Sequence, residues 1–139
     1  MAAFNKFQSF VTAVAAGTHA ACLNADTDVL RVYLSNDAPS ASLDSVMADL
    51  AEISTGNGYT GAVDVQNAAT TSAGTITVAG TDVVVTASGA VGPFQYAVLF
   101  NDTAASDPLI GWWDYGTPVT LANGETFTID FGASLFTIA

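Results

Sequence analysis

The strongest constraint on the fold lies in the last third of the chain, where apolar and polar residues alternate with a period of two. Phe94, Tyr96, Val98 and Phe100 alternate with Gln95, Ala97 and Leu99, and Leu109, Gly111, Trp113 and Tyr115 alternate with Ile110, Trp112 and Asp114. After Pro118 come Val119 to Leu121, then Phe127, Ile129 and Phe131 interleaved with Thr126, Thr128 and Asp130. Successive side chains on a strand point to opposite faces, so this pattern predicts a four-stranded meander with a core on one side and a wetter surface on the other. Asn123-Gly124 supplies the turn before the last strand, being the residue pair best suited to two positive φ angles.

Upstream the signals are shorter. Phe4, Phe7, Val11 and Val14 recur at helical spacing, although Phe7, Val11 and Ala13 also fit a strand face; residues 1–28 therefore read as an arm or a short helix. Val29 to Leu34 is a strand, apolar on both faces apart from Arg31, and so central in a sheet. Ser42 is a plausible cap for a helix over residues 43–53, with Asp44 in its first turn complementing the helix dipole. Gly56-Asn57-Gly58 is a tight turn. Residues 62–67, 75–78 and 82–87 read as strands, with an Ala/Thr/Ser-rich loop between the first two and a turn over 88–93. No repeat of fixed period is present. The expectation is one domain of 139 residues, mainly β, a sandwich or jelly-roll-like fold with one or two short helices.

Charge narrows the partners. Thirteen Asp and Glu stand against Lys6 and Arg31, a formal net charge of −11. Phosphate backbones are bound chiefly by Lys and Arg, so this balance argues against nucleic acid, and it disfavours anionic membrane surfaces in the same way. A basic protein surface is the natural electrostatic complement, the alternative being that the acids keep an apolar-rich surface in solution. No stretch approaches the roughly 20 apolar residues of a membrane-spanning helix. Cys22 is alone and is expected as a half-buried thiol. Gly17 to Cys22 departs from a lipoprotein cleavage motif in having His19 where leucine is usual.

The acids are the first candidates for chemistry. Asp102, Asp107 and Asp114 flank the strongest strands, yet Asn101-Asp102-Thr103 and Ser106-Asp107-Pro108 are ordinary turn formers. Asp26 and Asp28 are candidate calcium ligands, but the central Gly and terminal Glu of a calcium-binding loop are missing. His19 and Cys22 are too few for a structural zinc site, and no nucleophile elbow or phosphate-cradling loop accompanies them. Asn101-Asp102-Thr103 also matches a glycosylation acceptor. The reading is a non-enzyme without metal or cofactor. Trp112-Trp113 is the most suggestive pair: neighbours on a strand face opposite ways, so one ring fills the core and the other is free for the core of a second layer, a protein interface or a sugar.

Three segments carry a resemblance: residues 52–60 (EISTGNGYT), 92–103 (GPFQYAVLFNDT) and 107–116 (DPLIGWWDYG). In order and spacing they resemble a group of small virion proteins of tailed bacteriophages, encoded among head or structural genes. The likeness runs from about Val29 to the C-terminus. It implies a capsid decoration (cement) protein or minor structural protein, bound to the major capsid protein on the particle surface, with no catalytic residues to carry over. Gln95 stands where that group is expected to have a basic residue. Threefold lattice points make a trimer the natural oligomer. Phe4, Phe7, Phe10 and Trp112 are the expected interface residues. A tail, neck or fibre component, receptor- or glycan-binding, is the alternative.

Overall fold

The computed structural model describes residues 2–25 and 27–139; Met1 and Asp26, the latter one of the two candidate calcium carboxylates, lie outside them. In chain order the described elements are β1 (Phe4–Lys6), α1 (Gln8–Ala15), β2 (Leu30–Ser35), β3 (Val63–Asp64), β4 (Ala68–Ser72), β5 (Thr75–Ala79), β6 (Val83–Thr86), β7 (Val91–Asn101), β8 (Leu109–Leu121), β9 (Thr126–Ile129) and β10 (Phe136–Ile138). A π-helical turn occupies Ala21–Ala25 and a 3₁₀ turn Met47–Asp49. The strands make three antiparallel sheets, ordered β1-β8-β7-β2-β3, β10-β5-β4 and β6-β9. This is a mainly β, sandwich-like fold, as the alternation predicts.

The five-stranded sheet is covered on both faces. On one, Leu30, Val32, Leu34, Phe94, Ala97, Leu99, Ile110 and Trp113 meet Val78, Val83, Val85 and Ile129 from the smaller sheets and Phe131 just after β9. On the other, Tyr33, Val98, Phe100 and Leu109 form a second core with Phe7 and Leu50. The central position of β2, apolar on both faces, follows directly from having two cores to serve.

The hairpin β7–β8 holds the molecule together, and its details depart from simple alternation. The pairing Phe100↔Leu109 followed by Leu99↔Gly111 leaves Ile110 as an extra residue on β8. Such a bulge turns the strand over by one position. Leu109 therefore joins Trp112 on the second core, and Ile110 joins Trp113 on the first, the reverse of the assignment by strict period two. The expected second and third strands are one, since β8 continues through Pro118 where its outer edge has left β1. The strand expected to close the meander, β9, does not return beside β8 but crosses to pair with β6. Asn123-Gly124 is thus a corner between sheets, with only Gly124 at positive φ (88°).

Three other expectations are corrected. The helix expected over 43–53 is reduced to the single 3₁₀ turn Met47–Asp49. Asp44 Oδ2 accepts from the Ser40 amide and Asp49 Oδ2 from the amides of Ser45 and Val46, at 2.7–3.0 Å. The amides of Met47 and Ile53 go to the carbonyls of Asp107 and Leu34. The Ala51 amide likewise goes to Asp37 Oδ2 at 2.9 Å, so partners outside the segment capture donors that a helix would use. The Ala/Thr/Ser-rich stretch is the strand β4, not a loop. Cys22 is fully buried, its Sγ donating to the His19 carbonyl at 3.2 Å. The N-terminal segment uses both of its readings in turn: β1 pairs with β8, Phe7 is extended, and α1 follows until Ala16 and Gly17.

Candidate interface around Trp112

Of the four residues expected at an interface, the structure separates two and withdraws two. Phe7 and Phe10 are core residues: Phe7 packs on Trp112 with ring centroids 4.6 Å apart, and Phe10 meets His19 and Phe136. A buried ring cannot serve as a docking surface, so both are removed from the candidate interface. Phe4 and Trp112 keep partial exposure, but on opposite faces of the sheet. Register places Phe4 opposite Trp113, and its ring lies 5.4 Å from that indole, over Gly111, where any Cβ would collide with it. There it borders a shallow apolar groove with Phe10, Val11, Val14, Phe136 and Ile138. Trp112 faces the other way.

Around Trp112 the surface has a definite character. Trp112, Tyr96 and Met47 are half-buried and rest on the second core, so their exposed parts sit on a rigid base. The strap over residues 36–53 crosses this face, tied down by the Tyr33 hydroxyl, which donates towards the carbonyls of Met47 (3.2 Å) and Leu50 (3.4 Å). Leu43, on the same strap, is 81% exposed. Burial pushes the Tyr33 hydroxyl well above the ordinary tyrosine range, and the carboxylates of Glu52, Asp44, Asp49 and Asp37 push it further. Four acids of the strap thus lie within electrostatic reach of the buried Tyr33 hydroxyl, and Glu52 among them accepts from the Tyr59 hydroxyl at 2.8 Å. Asp114 adds a fifth, accepting from Gln95 Nε2 at 2.9 Å and, secondarily to burial, raising Tyr96. Arg31, the cation on this face, is already held by Asp102 at 3.0 Å. An apolar centre with charged surroundings is the usual anatomy of a protein-binding surface, and the strap crossing this one carries Asp37, Asp44, Asp49 and Glu52 and no Lys or Arg.

A second constellation is polar and buried. His19, Asp28 and Asn101 lie where the N-terminal segment meets the end of β7. Asn101 Nδ2 donates to Asp28 Oδ2 at 2.8 Å and lies 3.2 Å from His19 Nδ1. Its Oδ1 accepts from the amides of Thr103 and Ala104. This fixes a turn and a chain segment. Asn101 is also inaccessible, so the acceptor triplet of the sequence offers no surface asparagine for a glycan. Sequence reasoning missed the cluster because its members are 73 and 82 residues apart along the chain.

The candidate acids do not assemble. Asp28 is used by Asn101, Asp102 by Arg31, and Asp114 by Gln95 and the Gly116 amide. Among the described residues no group of three or more His, Cys, Asp or Glu is placed to hold a metal ion. No described helix is long and apolar enough to cross a membrane. Comparisons with protein-family models, with curated proteins and with solved structures each return no match.

Proposed function

We propose that this chain is a structural protein of a tailed-phage particle, decorating the assembled head by docking on the major capsid protein through the Trp112 face. The observation that carries the reading is the surface itself: Trp112 and Tyr96 on the sheet and Met47 on the strap, with Asp114 acting on Tyr96 and Asp37, Asp44, Asp49 and Glu52 carried by the same strap. Its complement is a basic, apolar-centred patch on a partner. The three segments that resemble phage virion proteins support the same region: 92–103 and 107–116 contain most of the β7–β8 hairpin, and Glu52 bridges to Ser35 at the end of β2. A decoration protein acts by linkage, binding the assembled shell and so stabilising it, which asks for a stiff docking face and no reaction centre. A trimer at threefold lattice points is the oligomer that this role favours.

Cryo-electron microscopy of purified particles tests the proposal. Regular density over the shell, with Trp112 against the capsid protein, is the expected result. Density confined to the tail or fibre tips would overturn it in favour of a tail or receptor-binding component.

A further inference from the structure

We propose that the gap between β3 and β6 is a strand-addition site that takes an extended basic segment of a partner protein. The argument starts from where the backbone groups point. Ala87 donates to the carbonyl of Glu125, which sets the β6–β9 ladder so that Val83 and Val85 exchange hydrogen bonds with β9. The amide and carbonyl groups of Val84 and Thr86 must then point away from β9. On the facing wall, Val65 donates to the carbonyl of Leu30, so the main-chain groups of Asp64 point away from β2. Among the described residues β6 pairs with β9 alone and β3 with β2 alone.

These two unpaired edges face one another. Residues 58–65 run antiparallel to residues 81–86: the Thr81 amide donates to the Val65 carbonyl at one end (2.7 Å), and Gly58 abuts the Thr86 carbonyl at the other. Between those contacts lies an open groove of ≈ 490 Å³, lined by both edges. The strand Val83–Thr86 has high β propensity and carries none of the charges, prolines or bulges with which exposed edges are normally blunted. Val84 stands 58% exposed beside it.

Charge selects the occupant. The charged residues lining the groove are Asp64 and Asp82, each using Oδ1 to accept a backbone amide, that of Gln66 and that of Phe131. A second copy of this chain would bring a net charge of −11 against them. A segment with Lys or Arg at alternate positions would pair its main chain with Val84 and the Thr86 amide, the Thr86 carbonyl being covered by Gly58, and lay its cations against the two carboxylates. This inference stands on β3 and β6 and does not depend on the Trp112 face.

The probe is a synthetic peptide of about eight residues, a strand's length, alternating lysine with valine or threonine, titrated into the isotope-labelled protein. A glutamate-for-lysine version serves as control. Amide exchange at Val84 and Thr86 should slow by tenfold or more, with the glutamate peptide without effect. Val84→Pro removes one outward donor on an edge where proline is tolerated, and should weaken binding about tenfold or more. Asp64→Asn with Asp82→Asn keeps both Oδ1 acceptors and should weaken binding severalfold while flattening its salt dependence. Equal binding of the two peptides, protection elsewhere than on β3 and β6, or unchanged binding in both variants would overturn the proposal. So would protection of Val84 that grows with protein concentration in the absence of peptide, since the occupant would then be a second copy.

Discussion

Asn101 dictates the protonation state of His19. Its Oδ1 is committed to the amides of Thr103 and Ala104, so its Nδ2 must face both Asp28 Oδ2 and His19 Nδ1. Nδ1 is therefore the acceptor, and the imidazole carries its proton on Nε2, which is buried and has no hydrogen-bond partner among the described residues. A second proton on His19 would set N–H against N–H in a site closed by Phe10.

A pH dependence follows from that geometry. Burial lowers the His19 pKa below 6.5, and the Asp28 carboxylate opposes this only in part. The unfolded chain then binds a proton that the folded chain refuses. Stability is complete above the unfolded pKa and falls as pH drops from about 6.5 towards the folded value, by up to about 1.4 kcal/mol per pH unit. Urea midpoints at pH 7.5 and 5.5 should differ in the wild type, and the difference should shrink in His19→Gln. An equal difference in both would remove His19 as its source.

Gly58 and Gly124 both sit at positive φ, 97° and 88°, but only Gly58 has a neighbour where a Cβ would go, the Thr86 carbonyl. Gly124→Ala should cost only the backbone penalty, about 1 kcal/mol. Gly58→Ala adds displacement of β6 from the Gly56–Tyr59 turn and should cost about 3 kcal/mol or more. Chemical denaturation of the two variants separates them; similar losses would mean that the turn moves freely relative to β6.

The fold was legible where local pattern and tertiary demand agree. β2 shows its central place in a run that is apolar on both faces apart from Arg31, and Thr126 to Phe131 alternate in sequence as they do in space. Pattern failed where a single residue changes the count or a distant partner intervenes. One bulge at Ile110 exchanges the faces of Leu109 and its neighbour, and nothing in the local sequence marks it. The strap over 43–53 has helical spacing, yet Asp107, Asp37 and Leu34 take the amides of Met47, Ala51 and Ile53. At the candidate interface, the opposite facing of Trp112 and Trp113 could be read from adjacency alone. The place of the strap's acids could not, because the strap had first to be laid across the sheet.

The tryptophans should separate stability from binding. Trp113 is 3% exposed and packed against Phe4 and Phe131, so Trp113→Ala should cost about 3–5 kcal/mol. Trp112 is half-buried, and Trp112→Ala should cost roughly 1–2 kcal/mol from the smaller area withdrawn from water. Capsid occupancy, measured where both variants are folded, should fall in Trp112→Ala and persist in Trp113→Ala. Loss in neither would take Trp112 out of the interface.

Phe4 and Phe7 test which face docks. Phe7 is completely buried under Trp112, and Phe7→Ala should cost about 3–5 kcal/mol and loosen the indole it supports. Occupancy should therefore fall in this variant even at temperatures where it remains folded. Phe4 lies over Gly111 on the opposite face, and Phe4→Ser should cost stability without altering occupancy. Thermal denaturation and particle binding, read side by side, decide the matter. Release of Phe4→Ser from particles, with Phe7→Ala retained, would move the docking surface to the apolar groove that Phe4 shares with Val11, Phe136 and Ile138.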